Sequence, residues 1–194
     1  MLRGDVEAVE IETAVKDLFA LVSDFDFHSE GDRSRAIAGI ISPAMMFGGF
    51  LKGVPADVAE SDHSQAGKGY RQKVVSAIYN ETPRVITKRE SSVGGLDESF
   101  STALVEGRPF IQFDNLRGRL DSQMLESFFT SDYIAARIPH RGEIETSTRG
   151  FFIFVTSNGV ETTKDFANRA AIFESESVLV TLIGSSRKVI CCSM

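Results

Sequence analysis

The chain has 194 residues, enough for one full domain with a small appendage. Hydrophobic residues make up 42% and charged residues 25%, ordinary globular values that exclude wholesale disorder. A net charge of -6 excludes a generally basic nucleic-acid coat and leaves room only for a local basic site.

Cys191 and Cys192 are adjacent and nearly terminal. That is neither a disulfide framework nor a metal-ligand spacing, and it suits a reducing compartment. Met1-Leu2-Arg3-Gly4-Asp5 runs straight into acidic residues without a signal-peptide pattern. The most apolar run, Ile41 to Leu51, is about half the length of a membrane helix and reads as core or helix packing. The expectation is a cytoplasmic protein with no membrane partner.

In chain order, Ile11, Val15, Leu18, Phe19 and Val22 recur at helical spacing within Val6 to Val22. Ser29 is placed to cap a second helix with Ile37, Ile40 and Ile41 on its apolar face, and Pro43 discourages its continuation. "VPADVAES" is a short, unusually polar strand candidate. "GKGYRQKVVSAIYNE" reads as a helix with Val74, Val75 and Ile78 on its buried side. "PRVITKR" predicts a strand, "LDESFSTALVEG" a helix that Gly107 ends, and "RPFIQFDN" a buried strand with polar residues at its carboxyl end. "DSQMLESFFTSD" predicts another helix, "AARIPHRGEIETSTRG" a hairpin or long loop, and "FFIFVTSNG" the strongest buried strand. A short helix, "TTKDFANRA", precedes two β-like runs, "SVLVTLI" and "RKVICC". Strands alternating with helices predict an α/β domain around a mostly parallel sheet flanked by helices, with a helical N-terminal lead-in.

Gly67-Lys68 raises the question of a phosphate-binding loop, whose full pattern is G-x-x-x-x-G-K-[ST]. In such a loop successive N–H groups point at the phosphates, the next helix adds its dipole, and the Lys adds a point charge. Here Asp62 stands at the first Gly, a residue that tolerates left-handed geometry better than most. Gly69 stands where a hydroxyl would reach Mg2+, a position that a water can fill. The alternative is a Gly-containing turn with a solvated Lys68. Asp114 ends an apolar strand, where an acid can hold Mg2+ directly or through water, or simply make a turn with Asn115. Thr156, Ser157 and Asn158 end the next buried strand, and the Asn158 amide suits orienting a water against the outermost phosphate. Arg169 is a charge clamp for a transferring phosphoryl group, within the subunit or across an interface, or a solvated helix arginine. The order of these features carries more weight than any one of them.

That order resembles P-loop NTPases of the AAA+ and superfamily 3 helicase type, over about residues 15 to 173. The helical lead-in "LVSDFDFHSEGDRSRAIAGIISP" followed by "GVPADVAESDHSQAGKGY" is most similar to ATPase domains found with phage, plasmid and integrated-element replication primases. The resemblance implies Ser64, Gln65, Ala66, Gly67, Lys68, Gly69 and Tyr70 as the ATP-binding loop. It implies Asp114 as the Mg2+ acid, Asn158 as the first sensor, and Arg169 as an arginine finger or sensor arginine. It also implies Arg137, His140 and Arg141 as a basic hairpin tip touching single-stranded DNA, although Glu143 and Glu145 dilute its charge. Residues 1–52 become a lead-in, 53–173 the ATPase core, and 174–194 a divergent tail, as in a truncated or frame-shifted lid. The expected protein is an ATP- and Mg2+-dependent hydrolase acting in DNA replication as a homo-oligomer.

One departure bears on turnover. Hydrolysing members of the family usually carry an acid after the Mg2+ Asp, and Asn115 occupies that position, with Glu98 or Glu126 as substitutes the sequence does not place. The competing expectations are a nucleotide-binding or oligomer-interface module without turnover, and a remnant that folds but binds nothing.

Overall fold

The computed structural model describes residues 8–60, 68–87, 95–120, 122–138, 141–162 and 164–178. Alternation along two strands sets its core. In β4 (Phe110–Leu120) Phe110 belongs to one apolar cluster while Ile111 and Phe113 belong to the other. In β7 (Phe152–Thr162) Phe152 and Phe154 oppose Ile153 and Val155 in the same way. Strands apolar on both faces belong inside a parallel sheet with helices on each side.

Six strands form that sheet in the order β1–β8–β2–β7–β4–β3, adding β1 (Phe25–Phe27), β2 (Ala56–Glu60), β3 (Arg84–Thr87) and β8 (Ala170–Val178). β1 pairs antiparallel with β8, and the other pairings are parallel. Over one face lie α2 (Glu30–Phe47) and α3 (Lys68–Ile78), which contribute Ile40, Met46 and Val75 to the cluster around Phe110, Phe152 and Phe154. Over the other lie α4 (Leu96–Glu106), α5 (Gln123–Thr130) and a separate hairpin of β5 (Tyr133–Ile138) and β6 (Gly142–Ser147). The chain thus has the predicted α/β architecture, with α1 (Ala8–Leu21) as its N-terminal helix. A four-residue helix, α6 (Lys164–Ala167), links β7 to β8.

Several local expectations hold for the stated reason. Ser29 caps α2 by accepting the Asp32 N–H at 3.2 Å. Gly107 ends α4 at φ 72°, a left-handed turn that glycine enters without strain.

Other expectations are corrected. Pro43 does not end α2, which continues to Phe47. The Tyr79 hydroxyl enters the helix ladder there, donating to the Ile40 carbonyl at 2.6 Å and accepting the Ala44 N–H at 3.0 Å. Ile78 is not on the buried side of α3 but exposed, and the buried side carries Arg71, Gln72, Val75 and Ser76. Arg71 forms a buried ion pair with Asp57 of β2 and also donates to the Ala36 carbonyl at 3.1 Å. Gly39 of α2 makes room for this pair, because a Cβ there would collide with Asp57 Oδ2. Of the apolar positions named for the first two helices, Val22 and Ile40 are buried as the pattern expects, whereas Ile11, Val15 and Phe19 of α1 and Ile41 of α2 are exposed. The run from Ile41 to Leu51 splits: Pro43 and Met46 are buried while Met45, Phe47, Phe50 and Leu51 are exposed. Of the tail run "SVLVTLI", Ser177 and Val178 lie in β8, which begins earlier, at Ala170; the rest of that run and "RKVICC" lie outside the described residues.

Candidate functional site at the carboxyl edge of the sheet

Parallel pairing brings separate polar strand ends to one edge. Glu60 ends β2 opposite Ser157 of β7, and Thr87 ends β3 opposite Asp114 of β4. Lys68 opens α3 after the segment that leaves this edge from β2. Asn158 is the next backbone position of β7 after Ser157. The backbones of Lys68, Asp114 and Asn158 therefore belong to the carboxyl edge of one sheet, where open α/β sheets collect ligands.

Contrary to the sequence expectation, β4 and β7 do not end at this level but run on as a paired extension to Leu120 and Thr162, and hydrogen bonds tie the two strands where β2 and β3 end. The Thr156 hydroxyl donates to Asp114 Oδ1 at 2.8 Å and accepts the Asn115 N–H at 2.7 Å. Asn115 has φ 54°, a left-handed conformation that Asn tolerates, and the β4–β7 register shifts beyond Phe113. Asp114 is half-buried beside this irregularity, with its orientation fixed by the neighbouring strand. Ser157 donates to Glu60 Oε1 at 3.3 Å, so a second carboxylate stands on the same edge.

Behind the rim lies an unexpected polar layer. Gln72 is fully buried on α3 and donates to the Val155 carbonyl at 3.0 Å and the Asp57 carbonyl at 3.4 Å, seating α3 on β2 and β7. Gln112 of β4 is 3% exposed, and its Oε1 is buried with no hydrogen-bond partner. Its Nε2 lies 3.7 Å from where Gly69 would carry a Cβ.

Other expected residues are placed as follows. Ser64, Gln65, Ala66 and Gly67 lie outside the described residues, as does His140. Gly69 is half-buried in the first turn of α3, and the Tyr70 ring is 59% exposed and stacks on Phe25 at 6.4 Å between centroids. Arg137 and Arg141 are exposed on the hairpin, and Arg137 faces Glu143 across the ladder. Glu98 and Glu126 occupy the first turns of α4 and α5.

Arg169 stands elsewhere. Its carbonyl accepts the Ala56 N–H at 2.9 Å, which puts it at the amino end of β2, about 13 Å of strand from the carboxyl edge. Its guanidinium donates to the Phe129 carbonyl at 3.4 Å. A cavity of about 530 Å3 opens at this edge, lined in part by Met46, Lys52, Phe129, Phe151 and Arg169. It is not the candidate site, because Asp114 and the start of α3 are at the other end of the sheet.

Chemically, the carboxyl edge combines opposite preferences. The N-terminus of an eleven-residue helix favours an anion, while the Asp114 carboxylate favours a cation. A phosphate chain carrying a divalent cation fits both. Among the described residues no group of three or more His, Cys, Asp or Glu is arranged to hold a metal ion alone, so such a cation would need phosphate and water for most of its ligands. Gln112 and Glu60 escaped the sequence reading. The signal for Gln112 was a polar residue inside an apolar strand, two positions before Asp114 and so on the same face.

No protein-family model matches the sequence, and no curated protein matches it. Among solved structures the chain is similar to the apo A-form structure of the NrS-1 C-terminal region, CTR(305-718), at a TM-score of 0.50 and 17% identity. The match covers 86% of this chain and 38% of that one, so this chain spans well under half of that region. The likeness is one of fold. Among the described residues no helix is long and apolar enough to cross a membrane.

Proposed function

We propose that this chain is the ATP-binding core of a P-loop NTPase of the AAA+ and superfamily 3 helicase type, serving DNA replication of a phage, plasmid or similar element. One observation carries the reading. Lys68 begins a helix at the edge where Asp114 is held by Thr156, so a phosphate-favouring end and a cation-favouring carboxylate share one rim. Residues 64–70 then cradle the phosphates, with backbone amides and Lys68 supplying positive charge. Asp114 holds Mg2+, through water or directly, and Asn158 aligns the attacking water. Bound Mg2+ would neutralise charge on the outer phosphates.

A homo-oligomer belongs to the same reading. At the amino edge Arg169 is too far to act on its own subunit's cradle, so its arginine-finger role requires a neighbouring copy's nucleotide. The hairpin with Arg137, His140 and Arg141 is the surface assigned to single-stranded DNA. The setting is cytoplasmic.

Binding without turnover is the second reading, and Asn115 favours it. The position after Asp114 carries no carboxylate, and its backbone N–H is tied to Thr156. Glu60 is the carboxylate that stands on the same rim beside Ser157 and is the group assigned to replace the missing acid if turnover occurs.

The test is thermal stabilisation by Mg-ATP. At a hundredfold excess over Kd, binding adds about 2.7 kcal/mol, or roughly 5–11 °C in Tm for a chain of this size. Lys68→Ala should abolish the shift while leaving the Tm without nucleotide unchanged. Equal shifts in both proteins would remove the assignment of the loop. Phosphate release with and without single-stranded DNA then separates turnover from binding alone.

A further inference from the structure

The start of α3 departs from the usual phosphate loop at one atom: Gly69 has no hydroxyl for Mg2+. The structure places another polar group behind that gap. Gln112 is 3% exposed, and its Nε2 lies 3.7 Å from the position of a Gly69 Cβ, the atom from which a serine hydroxyl would extend. No hydrogen bond satisfies Gln112 Oε1, although an orphaned amide oxygen in a protein interior is costly. A carboxamide presents its oxygen or its amine to the same place after a half-turn, so Oε1 can reach the gap.

Position along β4 adds a second constraint. Pairing with β3 remains in register from Arg84 opposite Ile111 to Thr87 opposite Asp114. Gln112 and Asp114 therefore share the face that looks toward α3, about 7 Å apart along the strand. A Mg2+ hydration shell held at Asp114 would have Gln112 on its other side, beneath the helix start. Packing of α3 does not account for the side chain, because Gln72 already makes the amide contacts to β2 and β7.

Resting on the nucleotide reading above, we propose that Gln112 supplies the oxygen that Gly69 lacks: its Oε1 positions Mg2+, by accepting from a metal-bound water or by direct ligation. Gly69 and Gln112 form one exchangeable unit, in which a small residue on the helix leaves room for a long amide from the strand. Mg2+ accepts this exchange because it takes oxygen ligands and retains several waters.

The experiment titrates Mg2+ at fixed ATP and reads Tm, for the full chain. Wild type should be stabilised by ATP with a clear Mg2+ midpoint. Gln112→Ala should raise that midpoint by about 10–100-fold, the usual effect of losing a partner of the metal's shell, while its shift with metal-free ATP stays that of wild type. Gly69→Ser in the Gln112→Ala background should bring the midpoint back toward wild type, an effect no purely structural glutamine predicts. Gln112→Glu, which keeps the side-chain shape, covers the case in which the alanine variant does not fold; its carboxylate should lower the midpoint. A wild-type midpoint in Gln112→Ala, or equal losses with and without Mg2+, overturns the role of Gln112 and leaves the nucleotide cradle standing. No response of wild type to ATP at any Mg2+ concentration overturns both.

Discussion

Asp57→Asn tests what holds together the two elements that flank the loop. Asp57 lies three residues before the end of β2, and Arg71 is the fourth residue of α3. Their side chains are 3% and 2% exposed and ion-paired. Removing one charge leaves Arg71 buried without its carboxylate, at a cost of about 3–5 kcal/mol. For a chain of this size that corresponds to a fall of roughly 6–20 °C in Tm. The size of the effect comes from the stranded charge and not from the net worth of the pair. Asp57→Leu combined with Arg71→Met should therefore cost less than either single substitution. Gly39→Ala should act on the same pair by collision, at about 1–3 kcal/mol. Urea unfolding is the assay, with a lower midpoint at unchanged slope as the expected result. A loss below about 1 kcal/mol for Asp57→Asn, typical of an exposed pair, would refute this reasoning. So would a double variant whose cost equals the sum of the singles. Where Asp57→Asn remains folded, it should also weaken ATP binding, because β2 and α3 no longer hold the loop ends in register.

Tyr79→Phe removes both hydroxyl bonds that carry α2 past Pro43 and should lower stability by about 1 kcal/mol or more in urea unfolding. Burial raises the Tyr79 phenol above its ordinary value of 10.0, against the smaller lowering effect of the Ala44 N–H. The unfolded phenol thus ionises first. The associated stability is full below about pH 10 and is lost as pH rises through the folded pKa, so wild type should weaken more steeply there than Tyr79→Phe. Arg137→Ala with Arg141→Ala should weaken single-stranded DNA binding uniformly across sequences and reduce the salt slope by about 1.4, roughly 0.7 for each phosphate no longer neutralised. An unchanged slope in fluorescence anisotropy would return the hairpin to a structural role.

Much of the fold was legible because burial leaves local traces. Apolar residues run unbroken through Phe152–Val155, Gly107 stops α4, and Ser29 starts α2, each by chemistry confined to a few neighbouring residues. The reading failed where a distant group changes the local rule. Pro43 should have ended a helix, and Tyr79, thirty-six positions later in the chain, supplies the hydroxyl that lets it continue. Helical periodicity assigned Ile78 to the core, whereas α3 turns Arg71 and Gln72 inward because β2 and β7 offer a carboxylate and backbone carbonyls to meet them. A buried charge is invisible to an apolar pattern when its partner sits on another element.

The site divides in the same way. The order of Lys68, Asp114 and Asn158 along the chain is written in the sequence, since each opens a recognisable helix or follows a recognisable apolar run. Their common edge, the bond from Thr156 to Asp114, the buried Gln112 amide behind Gly69, and the removal of Arg169 to the opposite edge were decided only by tertiary structure. Local sequence fixes which way a side chain can turn on its own element. Strand order and register fix what it meets there, and they depend on pairings between residues dozens of positions apart.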